Sequence, residues 1–339
     1  MQAMSGSLLA ATRVVVGLVK RPVAAPILPA GLITLLVALV LGACPADARY
    51  RVGMAEQSAE MFIAPAWQHL RLKRVRYLVP WDWARTEQKA EVSAFMAAAR
   101  AHRQDMLVTF TAHRGCFVDH RYSRSRACRA PSARDYHKAF RRFDNRFPWV
   151  RTYSAWNEVN HISQPTFRNP RLAVRYYHVL RRESRRRRFR VMAADVLDTS
   201  NMRRYVRSFL RLAPGRPKLW GLHNYQDVNY LTSTDTRTLL ETVPGQVWLT
   251  ETNGVVKVGN SPHFGYSPSR AARRTRWMFR LASRYDSTRR GFRSRITRLF
   301  VYQWFGAPHD ATFDAGLVDP GGAPRPAYYV VKRYARSRR

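Results

Sequence analysis

From residue 50 onward the chain alternates short apolar runs with longer amphipathic stretches. Eight runs rich in β-branched and aromatic residues stand at 50–54, 75–79, 106–110, 150–156, 189–194, 219–222, 247–250 and 299–302. Each is bounded by polar or turn-forming residues, as expected of a short strand buried on both faces. Between them lie helix-like stretches at 86–102, 133–146, 170–187, 201–212, 267–285 and 327–336. Starts of successive strands are roughly 25 to 50 residues apart, room for one crossover helix each. The pattern predicts an α/β chain folded as a single-domain (β/α)8 TIM barrel. The rival, a doubly wound open sheet, would announce a nucleotide site with a glycine-rich turn after an early strand. Neither G-x-G-x-x-G nor G-x-x-x-x-G-K-[ST] occurs.

Residues 1–48 stand outside this pattern. Arg13, Lys20 and Arg21 precede a charge-free apolar run over 23–43, which reads as an export signal or a membrane or lipid anchor. Two cleavage patterns compete: Leu41-Gly42-Ala43-Cys44, like a bacterial lipoprotein box, and Ala46-Asp47-Ala48, the small-x-small rule of ordinary signal peptidase. Pro26 and Pro29 argue against a buried helix of the core. The barrel domain is therefore expected at 49–339, secreted or associated with the cell envelope, touching a membrane only through the N-terminal segment. Past residue 48 two cysteines remain, Cys116 and Cys128, and an even pair in an exported chain predicts a disulfide. Free thiols are the alternative. No second Cys or His pair accompanies them at zinc-site spacing, so no metal is expected.

Charge changes the picture of partners more than that of the fold. The chain has 59 basic against 22 acidic residues, a formal charge of +37, and all but seven of the basic residues are arginine. Such an excess points to an anionic partner. The arginines are spread over every predicted helix, however, and no nucleic-acid motif occurs. No nucleic-acid partner is expected, and an anionic cell-envelope polymer fits the charge better.

In a barrel of this kind the residues just after each strand carry the chemistry. Here they are Glu56, Trp81-Asp82, His113-Arg114, Asn157-Glu158, His223-Asn224-Tyr225, Glu251 and Gln303-Trp304. Glu158 and Glu251 end strands four and seven, so both face one cleft. Two facing carboxylates can divide labour, one donating a proton to a leaving oxygen and the other attacking an anomeric carbon. Trp81, His113 and His223 are candidate substrate contacts by the same positional argument.

With Trp156-Asn157-Glu158 at strand four and Thr250-Glu251 at strand seven, the sequence resembles the clan A glycoside hydrolases over roughly residues 49 to 334. The resemblance implies a retaining (β/α)8 enzyme that acts on carbohydrate without a cofactor. It makes Glu158 the general acid/base, Asn157 a donor to the sugar 2-hydroxyl and Glu251 the nucleophile. It also implies that Tyr225 hydrogen-bonds the nucleophile and that Trp304 stacks under the sugar. One departure stands out: no arginine is found near the end of strand one, which leaves Glu56 or His113-Arg114 to fill that part of the cleft. A non-catalytic envelope protein that binds an anionic glycan at the barrel mouth is the alternative reading.

Overall fold

The computed structural model describes residues 50–336 except 260, 262, 288 and 289. The segment 1–48, with its export-signal reading, lies outside the described residues.

All eight predicted strands form. They are β1 (Arg51–Ala55), β2 (Arg74–Pro80), β3 (Asp105–Thr111), β4 (Thr152–Ser154), a broken β5 (Arg190–Met192 and Asp195–Leu197), β6 (Leu219–His223), β7 (Gly245–Thr252) and β8 (Ser294–Tyr302). Every neighbouring pair is parallel, and β1 pairs with β8. The break in β5 closes the barrel: its first half pairs with β4 and its second with β6. The six predicted helices appear as α2 (Gln88–Ala101), α3 (Ala133–Arg146), α4 (Pro170–Arg187), α5 (Met202–Leu212), α8 (Pro268–Arg284) and α9 (Pro326–Arg336). Three short helices were not predicted: α1 (Pro65–Leu70), α6 (Tyr225–Asn229) and α7 (Thr234–Thr242). Helix starts follow local chemistry. Ser132, Asn169 and Ser267 each accept a backbone N–H of the first turn of α3, α4 and α8, and proline opens α4 and α8.

Period-two alternation sorts the barrel into two cores. Val75, Tyr77, Met106, Val108, Phe110, Val247, Leu249, Leu299 and Val301 face the helices. Their neighbours Leu107, Met192, Trp248 and Phe300 form a separate cluster inside the barrel. Arg190 and Arg298 lie over the Trp248 ring at 4.8 and 4.1 Å. Above this apolar floor the interior turns polar, and there the site begins. The predicted disulfide is present: Cys116 and Cys128 are joined, with Cα atoms 5.5 Å apart.

Candidate active site

The polar layer is organised by Arg76, which is fully buried in the middle of β2. A buried guanidinium is tolerable only if its donors are met by charge and hydrogen bonds. Its Nη1 donates to Glu251 Oε1 at 2.5 Å, and its Nη2 donates to Asp195 Oδ2 at 2.9 Å and Asn157 Oδ1 at 2.7 Å. Asp195 is held from below by the hydroxyls of Thr109 and Thr250, at 3.1 and 3.0 Å. Gly221 leaves the space this requires, since a Cβ there would overlap Asp195 Oδ1. The arginine that strand one lacks is therefore supplied by strand two.

Glu158 is carried by a strand end fixed from behind. Trp156 stacks on Tyr176 with ring centroids 4.7 Å apart and donates its indole N–H to Gln164 Oε1 at 3.0 Å. Tyr136 donates its hydroxyl to the carbonyl of Ala155 at 2.7 Å. Glu158 itself has φ 41°, a left-handed conformation uncommon for a residue with a side chain, and such outliers cluster at functional sites. Asn160 secures the following turn, accepting from the Leu197 N–H and donating to the Leu197 carbonyl.

His223 stands between the carboxylates. Its Nδ1 is 3.0 Å from Glu158 Oε1 and 3.6 Å from Glu251 Oε2, and its Nε2 faces Arg76 Nη2 at 3.3 Å. A guanidinium can only donate, so in the neutral ring Nε2 is the acceptor and Nδ1 carries the proton toward Glu158. Tyr225 donates its hydroxyl to Glu251 Oε2 at 3.5 Å. Burial alone would raise the Glu158 carboxyl, but the hydrogen bond and charge of His223, with His161 and Arg76, hold it below its ordinary value. Burial opposes charging of His223, yet Glu251 and Glu158 together raise it.

One donor atom from each of Glu158, His223 and Glu251 fits within a 4.8 Å span, so the two carboxylates approach at least that closely. Three such donors could in principle hold a metal ion. Here the His223 to Glu158 hydrogen bond uses two of the groups, and Arg76 places a positive charge on the third. The carboxylates open into a cavity of about 790 Å³, within the range of small-molecule sites. Asn157, Tyr225, Tyr302 and Phe313 line it beside them.

Three expected contacts lie elsewhere. Trp304 is buried between Trp67 and Tyr328, its ring centroid 5.9 and 6.1 Å from theirs, and does not line the cavity. After β8 the chain runs along residues 315–318, with Leu317 N–H donating to the Gln303 carbonyl and Val318 N–H to that of Trp304. That course turns the indole toward the outer core, and Tyr302 supplies the aromatic wall instead. Trp81 lines a narrow crevice with Asp82, Arg85 and Asp135. His113 is paired with Asp82 at 2.7 Å. Glu56 is structural: its buried carboxylate accepts the N–H groups of Gln57, Ser58, Trp304 and Phe305, tying the end of β1 to the chain after β8.

Sequence reasoning passed over a third buried acid on the cavity wall, Asp198, at the end of β5. Its Oδ2 accepts the N–H groups of Gln226 and Asp227, while Oδ1 has no hydrogen-bond partner among the described residues. Burial, with Asp227 nearby, raises it to about 9. The folded protein therefore keeps this proton across neutral pH, whereas the unfolded chain releases it near the ordinary value of 3.8. Stability consequently declines as pH rises from about 4 to about 9. Asp198→Asn keeps an acceptor and removes that slope. It is expected to match the parent near pH 4 and to exceed it by a margin that widens as pH rises toward 8. Urea unfolding at both pH values checks this, and equal stabilities at pH 8 would refute it.

No protein-family model matches the chain, and no curated protein does. Solved structures do resemble it. An endo-1,4-β-xylanase from Caldicellulosiruptor owensensis is 9% identical with a TM-score of 0.55, over 85% of this chain and 99% of that one. A complex of a family 113 β-1,4-mannanase is 12% identical with a TM-score of 0.53, over 85% and 99%. A β-glucuronidase from an uncultured Clostridium is 12% identical with a TM-score of 0.55, and this chain spans 50% of its length. At such identities the likeness concerns architecture: the protein has the (β/α)8 barrel fold found in these glycoside hydrolases.

Proposed function

We propose that this protein is an exported retaining glycoside hydrolase, cleaving O-glycosidic bonds of a polysaccharide or glycoconjugate by double displacement. The observation that carries the reading is the pair Glu158 and Glu251, converging within 4.8 Å on one cavity with His223 between them. Close carboxylates suit direct attack, whereas an inverting site needs a gap of about 6.5–9.5 Å for a water molecule. In the first step Glu251 attacks the anomeric carbon and Glu158 passes its proton to the departing oxygen. In the second, Glu158 takes a proton from water, which attacks the same carbon and releases Glu251. Arg76 and Tyr225 fix the two oxygens of Glu251 for the attack. The charge-free run over 23–43 and the disulfide, which suits an oxidising compartment, support export.

The test is hydrolysis of a panel of aryl β-glycosides and envelope polysaccharides by residues 49–339, with the first-formed anomer read by NMR. Retained configuration supports the reading, and inversion or a lack of turnover on the whole panel overturns it. The position of His223 sets a pH expectation. Activity that needs protonated Glu158 falls as pH rises through its pKa. Removing His223 leaves burial less opposed, so His223→Ala should shift the basic limb of kcat/KM to higher pH. An unmoved limb would separate His223 from the ionisation of Glu158.

A further inference from the structure

The charge of the cavity contradicts the charge of the chain. In a protein of formal charge +37, no lysine or arginine is found among the described residues that line the cavity, whereas the carboxyl groups of Glu158 and Glu251 both face it. The arginine on the adjoining cleft, Arg114, is held by both oxygens of Glu91 at 2.6 Å. A site for a uronic acid or a sulfated sugar would present free guanidinium groups. This one presents apolar side chains in their place.

Their position relative to the carboxylates assigns them a role. Glu158 Oε1 faces His223 and the nucleophile side, whereas Oε2 faces His161 at 3.6 Å. Beyond His161 stand Phe117, its ring centroid 6.0 Å from the imidazole, and Ile162, 44% exposed at the rim. The leaving oxygen departs on the side of Glu158 away from Glu251, so whatever it carries runs toward these two residues. Phe117 is set by the disulfide, since it follows Cys116 in the hairpin that pairs Phe117–Val118 with Arg121–Tyr122. Tyr122 donates its hydroxyl to the Cys128 carbonyl at 2.9 Å, closing the same loop.

We propose that Phe117, held beside Glu158 by the Cys116–Cys128 loop, and Ile162, in the turn that follows Glu158, form a leaving-group subsite for an uncharged, apolar aglycone. This rests on the retaining-hydrolase reading and narrows its substrate from glycans in general to glycoconjugates with a hydrophobic leaving group. The subsite gains affinity from apolar surface removed from water and discriminates against charged leaving groups, which would lose solvation there with no lysine or arginine among the described lining residues to pair with them.

The test measures binding of octyl and methyl 1-thio-β-glycosides of glucose, xylose and mannose to the full chain by calorimetry, beside turnover of the matching dinitrophenyl glycosides. For at least one sugar the octyl compound is expected to bind about tenfold more tightly than the methyl compound. Phe117→Ser and Ile162→Ser should each remove most of that advantage. Both should leave kcat on the dinitrophenyl glycoside within about twofold, because with so good a leaving group the slow step is hydrolysis of a glycosyl-enzyme that no longer holds the aglycone. Ile162 is exposed, so its replacement spares the core even where that of Phe117 does not. Equal binding of octyl and methyl compounds would overturn the proposal, as would variants that lower kcat as much as they lower the octyl preference. A parent that turns over no glycoside would overturn the hydrolase reading and the leaving-group assignment with it.

Discussion

Glu251→Gln is expected to lower kcat on every glycoside by about ten-thousandfold or more, whatever the leaving group, because the substitution removes the carboxylate that would form the covalent intermediate. Glu158→Gln should behave differently. Its loss is about 10²–10⁴-fold on substrates whose leaving oxygen needs a proton, and small in the first step on dinitrophenyl glycosides, which depart without one. In the second step Glu158 serves as the base, so a small anion that needs no deprotonation, such as azide, should restore turnover of Glu158→Gln as the glycosyl azide. It should not restore Glu251→Gln in that way. Initial rates on the two leaving groups, with and without azide, check the assignment. Equal losses in both variants, with no rescue in either, would mean that the two glutamates do not divide the labour as the geometry suggests.

Much of this arrangement was legible in the sequence because it depends on local period and strand ends. Runs such as 106–110 and 247–250 are apolar on both faces, and each predicted strand formed within a few residues of its run. Glu158 and Glu251 could be picked out because catalytic groups of a barrel follow its strands, and the structure brings both to one cavity with Asn157, His223 and Tyr225 close by. What could not be read was the direction of side chains after a strand has ended. Trp304 looked like a sugar platform, but the partner segment at residues 315–318 turns it into the outer core. Trp81 and His113 likewise follow strands yet settle away from the cavity. Asp198 escaped notice because its strand is broken. Arg76 escaped for the opposite reason: it sits within a strand, flanked by Val75 and Tyr77, where a charge reads as an exposed edge residue and not as the centre of a barrel. The available signal was the alternation itself, since Val75, Tyr77 and Val79 claim the outer core and leave position 76 to point inward.

Arg76→Met is expected to cost both stability and activity. The substitution keeps an unbranched, flexible side chain, though a shorter one, and removes one buried positive charge that faces two carboxylates, Glu251 and Asp195. Breaking a buried ion pair from one side typically costs about 3–5 kcal/mol, since the partner charges stay behind without water. Arg76→Lys retains the charge but cannot span Glu251, Asp195 and Asn157 with the planar fork of a guanidinium, so it should recover part of the stability and little of the activity. If the loss comes from stranded carboxylates, Asp195→Asn introduced into Arg76→Met should be less damaging than Asp195→Asn in the parent, where Arg76 itself loses a partner. Urea unfolding of the four proteins yields that coupling directly. Additive losses would show that Arg76 acts through volume and not charge. Activity should follow a different order, because the double variant relieves the buried charge without returning a donor to Glu251 Oε1. A double variant that regains stability while staying inactive would establish that the guanidinium holds the nucleophile in place in addition to holding the barrel together.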